Sequence, residues 1–239
     1  MIRTIILATY LIPALIFSIP SLMKAKLLEK KGKLDERNRL AFEVVSKMSR
    51  RLIKLSGSQI KVVGEENIPR DKAVLFVSNH QSNFDILLLL GFIDKPKAFI
   101  AKVELMKIPI LSQWMKAMGC IFIDRKDVRQ SLRAINEGAN ILKEGHSLVI
   151  FPEGTRSKDG QLGQFKHGSF KLATKSNVPI IPVTINGAYK IMPKGKLIIK
   201  PSKVEMIISK PIYADEEIKR DSKMLADKVK NIIEENLKN

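Results

Sequence analysis

The stretch NHQSNFD, residues 79–85, places a histidine and an aspartate five residues apart between two apolar segments. The placement is notable because the whole chain contains only three histidines. A carboxylate that hydrogen bonds one imidazole nitrogen fixes the tautomer and leaves the other nitrogen free to accept a proton. His80 and Asp85 are therefore candidates for a general base and its partner. The alternative interpretation makes Asp85 a helix-start charge and His80 a capping residue.

A second chemical cluster is FPEGTRS, residues 151–157, which directly follows an apolar run. Gly154 allows the main chain to approach a ligand closely, Thr155 offers a hydroxyl, and Arg156 offers a planar fork that suits phosphate. Glu153 is expected to accept a hydrogen bond from a substrate hydroxyl or to orient Arg156. Taken alone, the cluster is also compatible with a tight turn that carries a surface ion pair.

Two further cations stand where apolar runs end. Lys102 follows KAFIA, and Arg125 follows GCIFID. A single surface lysine or arginine is usually solvated. Three cations at strand ends around one histidine, with Arg156 as the third, indicate a site for an anion.

The elements that must position these residues begin at Gln59, where short apolar segments start to alternate with helical patterns. The predicted strands are 60–64, 73–79, 97–101, 120–124, 147–151 and 180–185; the predicted helices are 83–92, 105–117, 128–143 and 167–176. This alternation predicts an α/β fold with a mainly parallel sheet flanked by helices. Residues 196–212 predict two more strands in an edge hairpin, and 222–239 predict a closing amphipathic helix. Since ligands bind at the carboxyl ends of parallel strands, His80 and the 151–157 cluster are expected to share a cleft.

The N-terminal residues 4–23 carry no charge and are followed by four lysines within the next eight residues. Their length is close to the roughly 20 residues that span a bilayer core, but Pro13 and Pro20 would kink such a helix. A monotopic or re-entrant anchor, one span and a soluble helix all remain open. Residues 34–57 predict a basic amphipathic helix ending at Gly57, which either lies on a membrane surface or packs on the α/β domain. We expect a membrane-associating two-helix hairpin over 1–57 and an α/β domain over 58–239.

The charge balance narrows the class of partner. Lysine and arginine total 42 against 24 acidic residues, which gives a formal net charge of +18. Such an excess indicates nucleic acid, an anionic membrane face or phosphorylated substrates. Aromatic residues make up only 6% of the chain, few for a single-strand nucleic-acid binder. With a single cysteine, Cys120, the chain cannot form an intrachain disulfide. A metal-dependent phosphoesterase is not favoured, because no further cluster of histidines or aspartates with metal-ligand spacing lies near His80.

Four motifs occur in a fixed order: N-H-x4-D at 79–85, G-x-x-F-I-x-R at 119–125, FPEGTRS at 151–157 and VPIIPV at 178–183. Together they resemble the four blocks of the glycerolipid acyltransferases, above all the bacterial members that acylate lysophosphatidate. The resemblance runs from about residue 60 to about residue 185. It implies a catalytic dyad and a set of substrate-binding residues. The dyad is His80 and Asp85, the cations for the acceptor phosphate are Lys102, Arg125 and Arg156, and acceptor positioning falls to Glu153, Gly154 and Thr155.

The resemblance also implies a reaction. An acyl group would move from acyl-CoA or acyl carrier protein to the sn-2 hydroxyl of lysophosphatidate, with His80 as general base and no acyl-enzyme. We expect no metal or other cofactor, and as partners the lipid acceptor, the thioester donor and an anionic membrane surface rather than nucleic acid. The expected location is the cytoplasmic face of the inner membrane. The alternatives are a sister acyltransferase on glycerol 3-phosphate or another lysolipid, a lipid-binding module, and a basic nucleic-acid-binding protein.

Overall fold

A sheet of seven strands forms the centre of the protein in a computed structural model that describes residues 1–124, 127–213 and 221–238. The spatial order is β1-β7-β6-β2-β5-β3-β4. The strands are β1 (Gln59–Val63), β2 (Leu75–Ser78), β3 (Lys97–Lys102), β4 (Ile121–Ile123), β5 (Ser147–Ile150), β6 (Ile180–Asn186) and β7 (Lys203–Ile208). The five strands from β6 to β4 pair in parallel, which confirms the predicted mainly parallel sheet.

The central strands are buried on both faces. Every residue of β2 and β5 is buried, so neither strand alternates between apolar and polar positions. This continuous apolar pattern is typical of parallel strands covered by helices on both sides. It places the carboxyl ends of β2 and β5 side by side at one edge of the sheet, which we call the carboxyl edge.

The predicted edge hairpin over residues 196–212 is wrong. Only β7 forms in this region, and it pairs antiparallel with β6 and parallel with β1. Residues 196–200 form a loop instead, because Gly195 turns the chain at φ 82° and the main-chain N–H of Ile199 donates to the Thr4 hydroxyl (3.0 Å). A donor used in this way is lost to a strand ladder.

Helices cover the two faces of the sheet as separate layers. One layer packs over the core that contains Phe76 and Val149, and the other over the core that contains Leu75 and Leu148. The first layer holds α1 (Ile2–Phe17), α2 (Ile19–Lys30), α3 (Leu34–Ser56), α4 (Phe84–Phe92), α5 (Leu111–Ala117) and α8 (Ala188–Ile191), and the second holds α6 (Val128–Lys143), α7 (Lys171–Ser176) and α9 (Ser222–Lys238). Residues 105–117, predicted as one helix, form a short 3-10 turn followed by α5.

The N-terminal region contains three helices rather than the predicted two. The uncharged segment breaks at Ser18, two residues before Pro20, and α1 and α2 meet there at an angle of 43°. Proline is well suited to the first turn of a helix, which explains why α2 starts at this point. Across the described ranges, no helix by itself has the length and hydropathy to cross a membrane, whereas the bent pair α1–α2 does have them jointly.

The basic helix α3 packs on the α/β domain, so the packed alternative is the arrangement observed. Its apolar face is buried, and Arg50 Nε donates to the Gly91 carbonyl at the end of α4 (2.6 Å). The helix ends as predicted at Gly57, which adopts the left-handed conformation (φ 73°) common after a helix. One continuous core includes Leu7, Ile53 and Phe76. A division of the chain at residue 57 stays a prediction.

Candidate active site

His80 and Asp85 meet at the carboxyl edge of β2. The strand ends at Ser78, and α4 begins at Phe84 with Asp85 in its first turn. The turn between them brings Nδ1 of His80 within 2.8 Å of Oδ2 of Asp85. The same carboxylate oxygen accepts the main-chain N–H groups of Gln81 (2.6 Å) and Ser82 (2.8 Å). The expected contact between His80 and Asp85 is therefore present. The Asp85 side chain is fully buried, and three hydrogen-bond donors hold its carboxylate in position.

The hydrogen bonds determine which nitrogen of His80 is available. Because the Asp85 carboxylate accepts from Nδ1, the neutral imidazole carries its proton on that atom. Nε2 then holds a lone pair, and it has no hydrogen-bond partner within the described part of the chain. The imidazole stacks on the Phe151 ring with centroids 4.0 Å apart and planes 20° apart, which limits its rotation. The pair can therefore take a proton from a hydroxyl that approaches Nε2.

Glu153 holds the main chain of His80 in place. Its Oε1 accepts the His80 N–H (2.7 Å), and its Oε2 accepts the Gly163 N–H (2.9 Å). In return, the Ser157 N–H donates to the His80 carbonyl (2.8 Å). Burial raises the pKa of the Glu153 carboxyl, and the two main-chain hydrogen bonds oppose that shift. Glu153 thus joins the loop after β5 to the dyad, a role different from the two expected from the sequence.

Three polar residues beside His80 were not assigned roles from the sequence. Asn79 makes two hydrogen bonds with the main chain of Ile185 at the end of β6. Gln81 donates to the Gly160 carbonyl (3.2 Å) and accepts the Gly187 N–H (3.1 Å). Ser82 donates to the Met192 carbonyl (2.9 Å). These contacts join the dyad to the loops that follow β5 and β6.

Of the three cations predicted for the site, Arg156 and Lys102 differ in burial and in distance from the dyad. Arg156 is half-buried in the loop after β5, whereas Lys102 is exposed at the end of β3, where its amine pairs with Glu104 (2.6 Å). In the order β2-β5-β3, Lys102 stands two strands from the end of β2, which corresponds to about 10 Å at the usual strand spacing. Arg125 lies outside the described residues.

Lys194 is a cation of this region that the sequence did not reveal. Its amine donates to the Thr155 hydroxyl (3.0 Å) and to the Arg156 carbonyl (2.6 Å). Both partners lie about 40 residues away along the chain, so no local pattern marks the contact. Lys194 fixes the main chain of the loop that carries Arg156.

Gly154 occupies a position that disfavours a side chain. Its φ is 69°, and an added Cβ would lie 3.0 Å from the Lys166 ammonium. A left-handed φ strains most other residues. The glycine therefore allows the turn after Glu153 and the close approach of Lys166.

A cleft of about 670 Å³ opens in the loop after β5. Neither His80 nor Asp85 lines it, so the single cleft expected for His80 and residues 151–157 is not observed; Glu153, which accepts the His80 N–H, connects the lining to the dyad. The walls of the cleft are formed by the two arms of the loop after β5, and its lining is rich in basic side chains. The basic lining residues are Arg156, Lys158, Lys166 and His167. Three lining cations, Arg156, Lys158 and Lys166, outnumber the single lining carboxylate of Glu153, so the cleft favours an anion.

The opposite edge of the sheet holds a smaller cavity, of about 120 Å³. Lys97 lines it, but its amine donates to the Ile93 and Lys95 carbonyls (2.9 Å each) and lies over the Phe42 ring. Burial keeps the pKa of this amine well below its usual range. The buried lysine is therefore part of the packing at the end of α4.

The fold and the site together define an α/β protein with a histidine–aspartate pair next to a basic cleft, at the sheet edge where such proteins bind ligands. The chain belongs to the Acyltransferase family, whose model matches residues 59–186. The resemblance found in the four motifs is thereby confirmed.

Named relatives agree with this assignment. A chloroplastic 1-acyl-sn-glycerol-3-phosphate acyltransferase of Brassica napus is 40% identical over 178 residues, which cover 74% of this chain and 50% of that protein. A probable 1-acyl-sn-glycerol-3-phosphate acyltransferase of Mycoplasma pneumoniae is 36% identical over 202 residues, 80% of this chain and 75% of that protein. This chain thus spans half the length of the plant relative and most of the bacterial one.

A solved structure shares the architecture. The crystal structure of the 1-acyl-sn-glycerophosphate acyltransferase of Thermotoga maritima superposes with a TM-score of 0.82 at 31% sequence identity. The match covers 99% of this chain and 92% of that chain, so it includes the N-terminal helices as well as the sheet.

Proposed function

We propose that this protein transfers a fatty acyl group from a thioester, acyl-CoA or acyl carrier protein, to the sn-2 hydroxyl of lysophosphatidate and so forms phosphatidate. One observation carries the proposal: His80 is held through Nδ1 by the buried Asp85 carboxylate (2.8 Å), and its Nε2 is left without a partner in the described ranges. The names of the relatives support lysophosphatidate as the acceptor. The basic cleft supports a phosphorylated acceptor independently.

In the proposed reaction the acceptor hydroxyl donates its hydrogen to Nε2 of His80. As its oxygen attacks the thioester carbonyl, a C–O bond forms and the proton passes to the imidazole. Asp85 stabilises the imidazolium through the hydrogen bond from Nδ1. When the tetrahedral intermediate collapses, the C–S bond breaks and the thiolate takes the proton from His80. The products are the sn-2 ester and the free thiol, and His80 is neutral again.

The acceptor phosphate is assigned to the cleft beside Arg156. The guanidinium can bind two phosphate oxygens at once, and Lys158 and Lys166 add charge nearby. Lys102 is a weaker candidate because Glu104 already neutralises it. We also propose that Cys120 takes no part, because burial raises the pKa of its thiol to about 12 and keeps it protonated.

We place the protein at the cytoplasmic face of the cell membrane. Residues on the exposed side of α1 and α2, including Ile5, Ile12, Phe17 and Met23, present an apolar surface. The net charge of +18 would favour anionic lipid. The acceptor would then reach the cleft from the bilayer in which it resides.

The test is an acyl-transfer assay with the purified full-length protein. Lysophosphatidate and glycerol 3-phosphate are each offered with acyl-CoA and with acyl carrier protein as donor. We expect phosphatidate from lysophosphatidate, and a loss of about 10²–10⁴-fold in turnover for His80→Ala. His146→Ala, a histidine at the opposite sheet edge, serves as the matched control and should retain turnover. Faster use of glycerol 3-phosphate would assign the chain to the sister activity, and near wild-type turnover of His80→Ala would refute the dyad.

A further inference from the structure

The loop between α8 and β7 presents two adjacent apolar side chains to solvent. Leu197 is 79% exposed and Ile198 is 45% exposed. Lys196 and Lys200 flank them and are exposed as well. Isolated exposed leucines are common on protein surfaces and need no explanation. This pair differs because of what the loop contacts on its two sides.

On one side the loop contacts the N-terminal helix. The Ile199 N–H donates to the Thr4 hydroxyl in the first turn of α1 (3.0 Å). Ile2, Ile5 and Ile6, which surround Thr4 in the chain, are exposed. The tip formed by Leu197 and Ile198 therefore extends the apolar surface of α1 onto the α/β domain.

On the other side the loop contacts the candidate phosphate site. Lys194 donates to the Thr155 hydroxyl and to the Arg156 carbonyl (3.0 and 2.6 Å). The main-chain carbonyl of Met192, at the start of the same loop, accepts a hydrogen bond from the hydroxyl of Ser82, which lies three residues before Asp85 in the chain. The loop is thus hydrogen bonded both to α1 and to the residues around the dyad.

We propose that residues 194–200 form a second membrane contact, which inserts Leu197 and Ile198 into an anionic bilayer beside α1. Apolar side chains that enter the acyl-chain boundary and lysines that face anionic headgroups are the two contributions that hold interfacial segments on membranes. Lys194 belongs to the inserted segment and also holds the loop that carries Arg156. The membrane contact of residues 194–200 would therefore position the cleft at the depth of the lipid headgroups. The inference rests on the proposed function, because the same membrane would supply the acceptor.

The first experiment measures insertion directly in the full-length protein. Leu197→Cys, Ile12→Cys on α1 and Lys143→Cys at the opposite sheet edge are each labelled with an environment-sensitive fluorophore. Because Cys120 is half-buried and also carries a thiol, each variant is made in a Cys120→Ala background, and the Cys120→Ala parent is the unlabelled control. With vesicles of phosphatidylcholine and phosphatidylglycerol, labels at 197 and 12 should shift to the blue and be quenched by a bilayer-embedded quencher. The label at 143 should not respond.

The pattern of responses separates the two ideas. A response at 12 without one at 197 overturns the second contact and leaves the proposed membrane association standing. An absent response at both positions overturns both, and a response at 143 equal to that at 197 shows nonspecific adsorption and overturns the inference.

The second experiment links insertion to turnover. Leu197→Ser should weaken vesicle partition about tenfold, the loss expected when part of one leucine side chain no longer enters lipid. Leu132→Ser, an exposed leucine of α6 in the other helix layer, is the matched control and should leave partition unchanged. Turnover of Leu197→Ser should fall on acceptor embedded in vesicles but not on a short-chain lysophosphatidate dissolved as monomers. An equal fall on both acceptors would show that the loop acts only within the site, which contradicts a membrane contact.

Discussion

The Asn79 side chain and the main chain of Ile185 exchange two hydrogen bonds, each 2.8 Å long. The amide nitrogen of Asn79 donates to the Ile185 carbonyl, and the Ile185 N–H donates to the Asn79 carbonyl oxygen. The end of β2 is thereby joined to the end of β6 beyond Ser78 and Val183, the last pair in the ladder between these two strands. His80 follows directly, so its main chain starts from a fixed position.

Asn79→Ala should destabilise the protein by about 2–5 kcal/mol, because it leaves a buried N–H and a buried carbonyl unpaired. Urea denaturation followed by circular dichroism measures the free energy of unfolding. Asn140→Ala, on the exposed side of α6, is the matched control and should change it by less than about 0.5 kcal/mol. Similar values for the two variants would mean that β2 and β6 do not depend on this pair.

Asp85→Asn should lower turnover about 10²–10⁴-fold while the protein stays folded. The neutral amide is a weaker acceptor for the three donors that now share Oδ2, and it can favour the wrong tautomer of His80. Thermal melting and turnover are measured on one preparation, with Asp35→Asn on the exposed surface as control. If melting falls and turnover hardly changes, Asp85 is only a helix-start charge.

Much of this arrangement could be predicted from the sequence, and the rest depends on distant contacts. The four residues between His80 and Asp85 span a single turn, so the proximity of the two side chains follows from a strand that ends and a helix that begins. The partners of Asn79 and Gln81 lie about 80–106 residues away, where no local spacing can indicate them. Glu153 was expected to face substrate or Arg156, but two main-chain N–H groups take its oxygens.

The fold shows the same division between local and distant information. Alternating apolar runs were enough to predict the parallel sheet because the runs that form β2 and β5 are buried as a whole, and those that form β3 and β6 are buried except at the last residue. Residues 196–200 have the composition of a strand, yet a hydrogen bond from Ile199 to α1 holds them as a loop. The amphipathic pattern of α3 could not decide between a membrane and a protein neighbour, since both bury the same apolar face.

Glu153 should make the stability of the protein depend on pH. Burial raises the pKa of this carboxyl above its ordinary value of 4.5 in the folded state. Because the folded protein then holds the proton to higher pH than the unfolded chain does, the free energy of unfolding should fall as the pH rises from 4.5 through the raised pKa. Glu153→Gln removes this contribution, so the difference between wild type and variant should change with pH across that window. Glu144→Gln is the control, and an unchanged difference for Glu153→Gln would contradict the assignment.

Arg156→Lys should impair the use of the acceptor more than that of the donor. An ammonium keeps the charge but cannot bind two phosphate oxygens in the geometry of a guanidinium, so KM for lysophosphatidate should rise about 10–100-fold. KM for the thioester should change little. Steady-state kinetics with each substrate varied in turn measures both constants, with Arg129→Lys on α6 as the control. Equal increases in the two constants would indicate a structural role.

The pairing of β1 with β7 also has a consequence for biosynthesis. These neighbouring strands are separated by about 140 residues of chain. Ile199 and Thr4, which are hydrogen bonded to each other, are separated by an even longer stretch of sequence. At about 5–20 residues per second, the ribosome needs about 7–30 s to make the stretch between β1 and β7. During this interval the N-terminal helices have already been synthesised, whereas β7 and the loop that contacts Thr4 have not. The nascent chain can therefore meet the lipid bilayer before the carboxyl edge of the sheet is assembled.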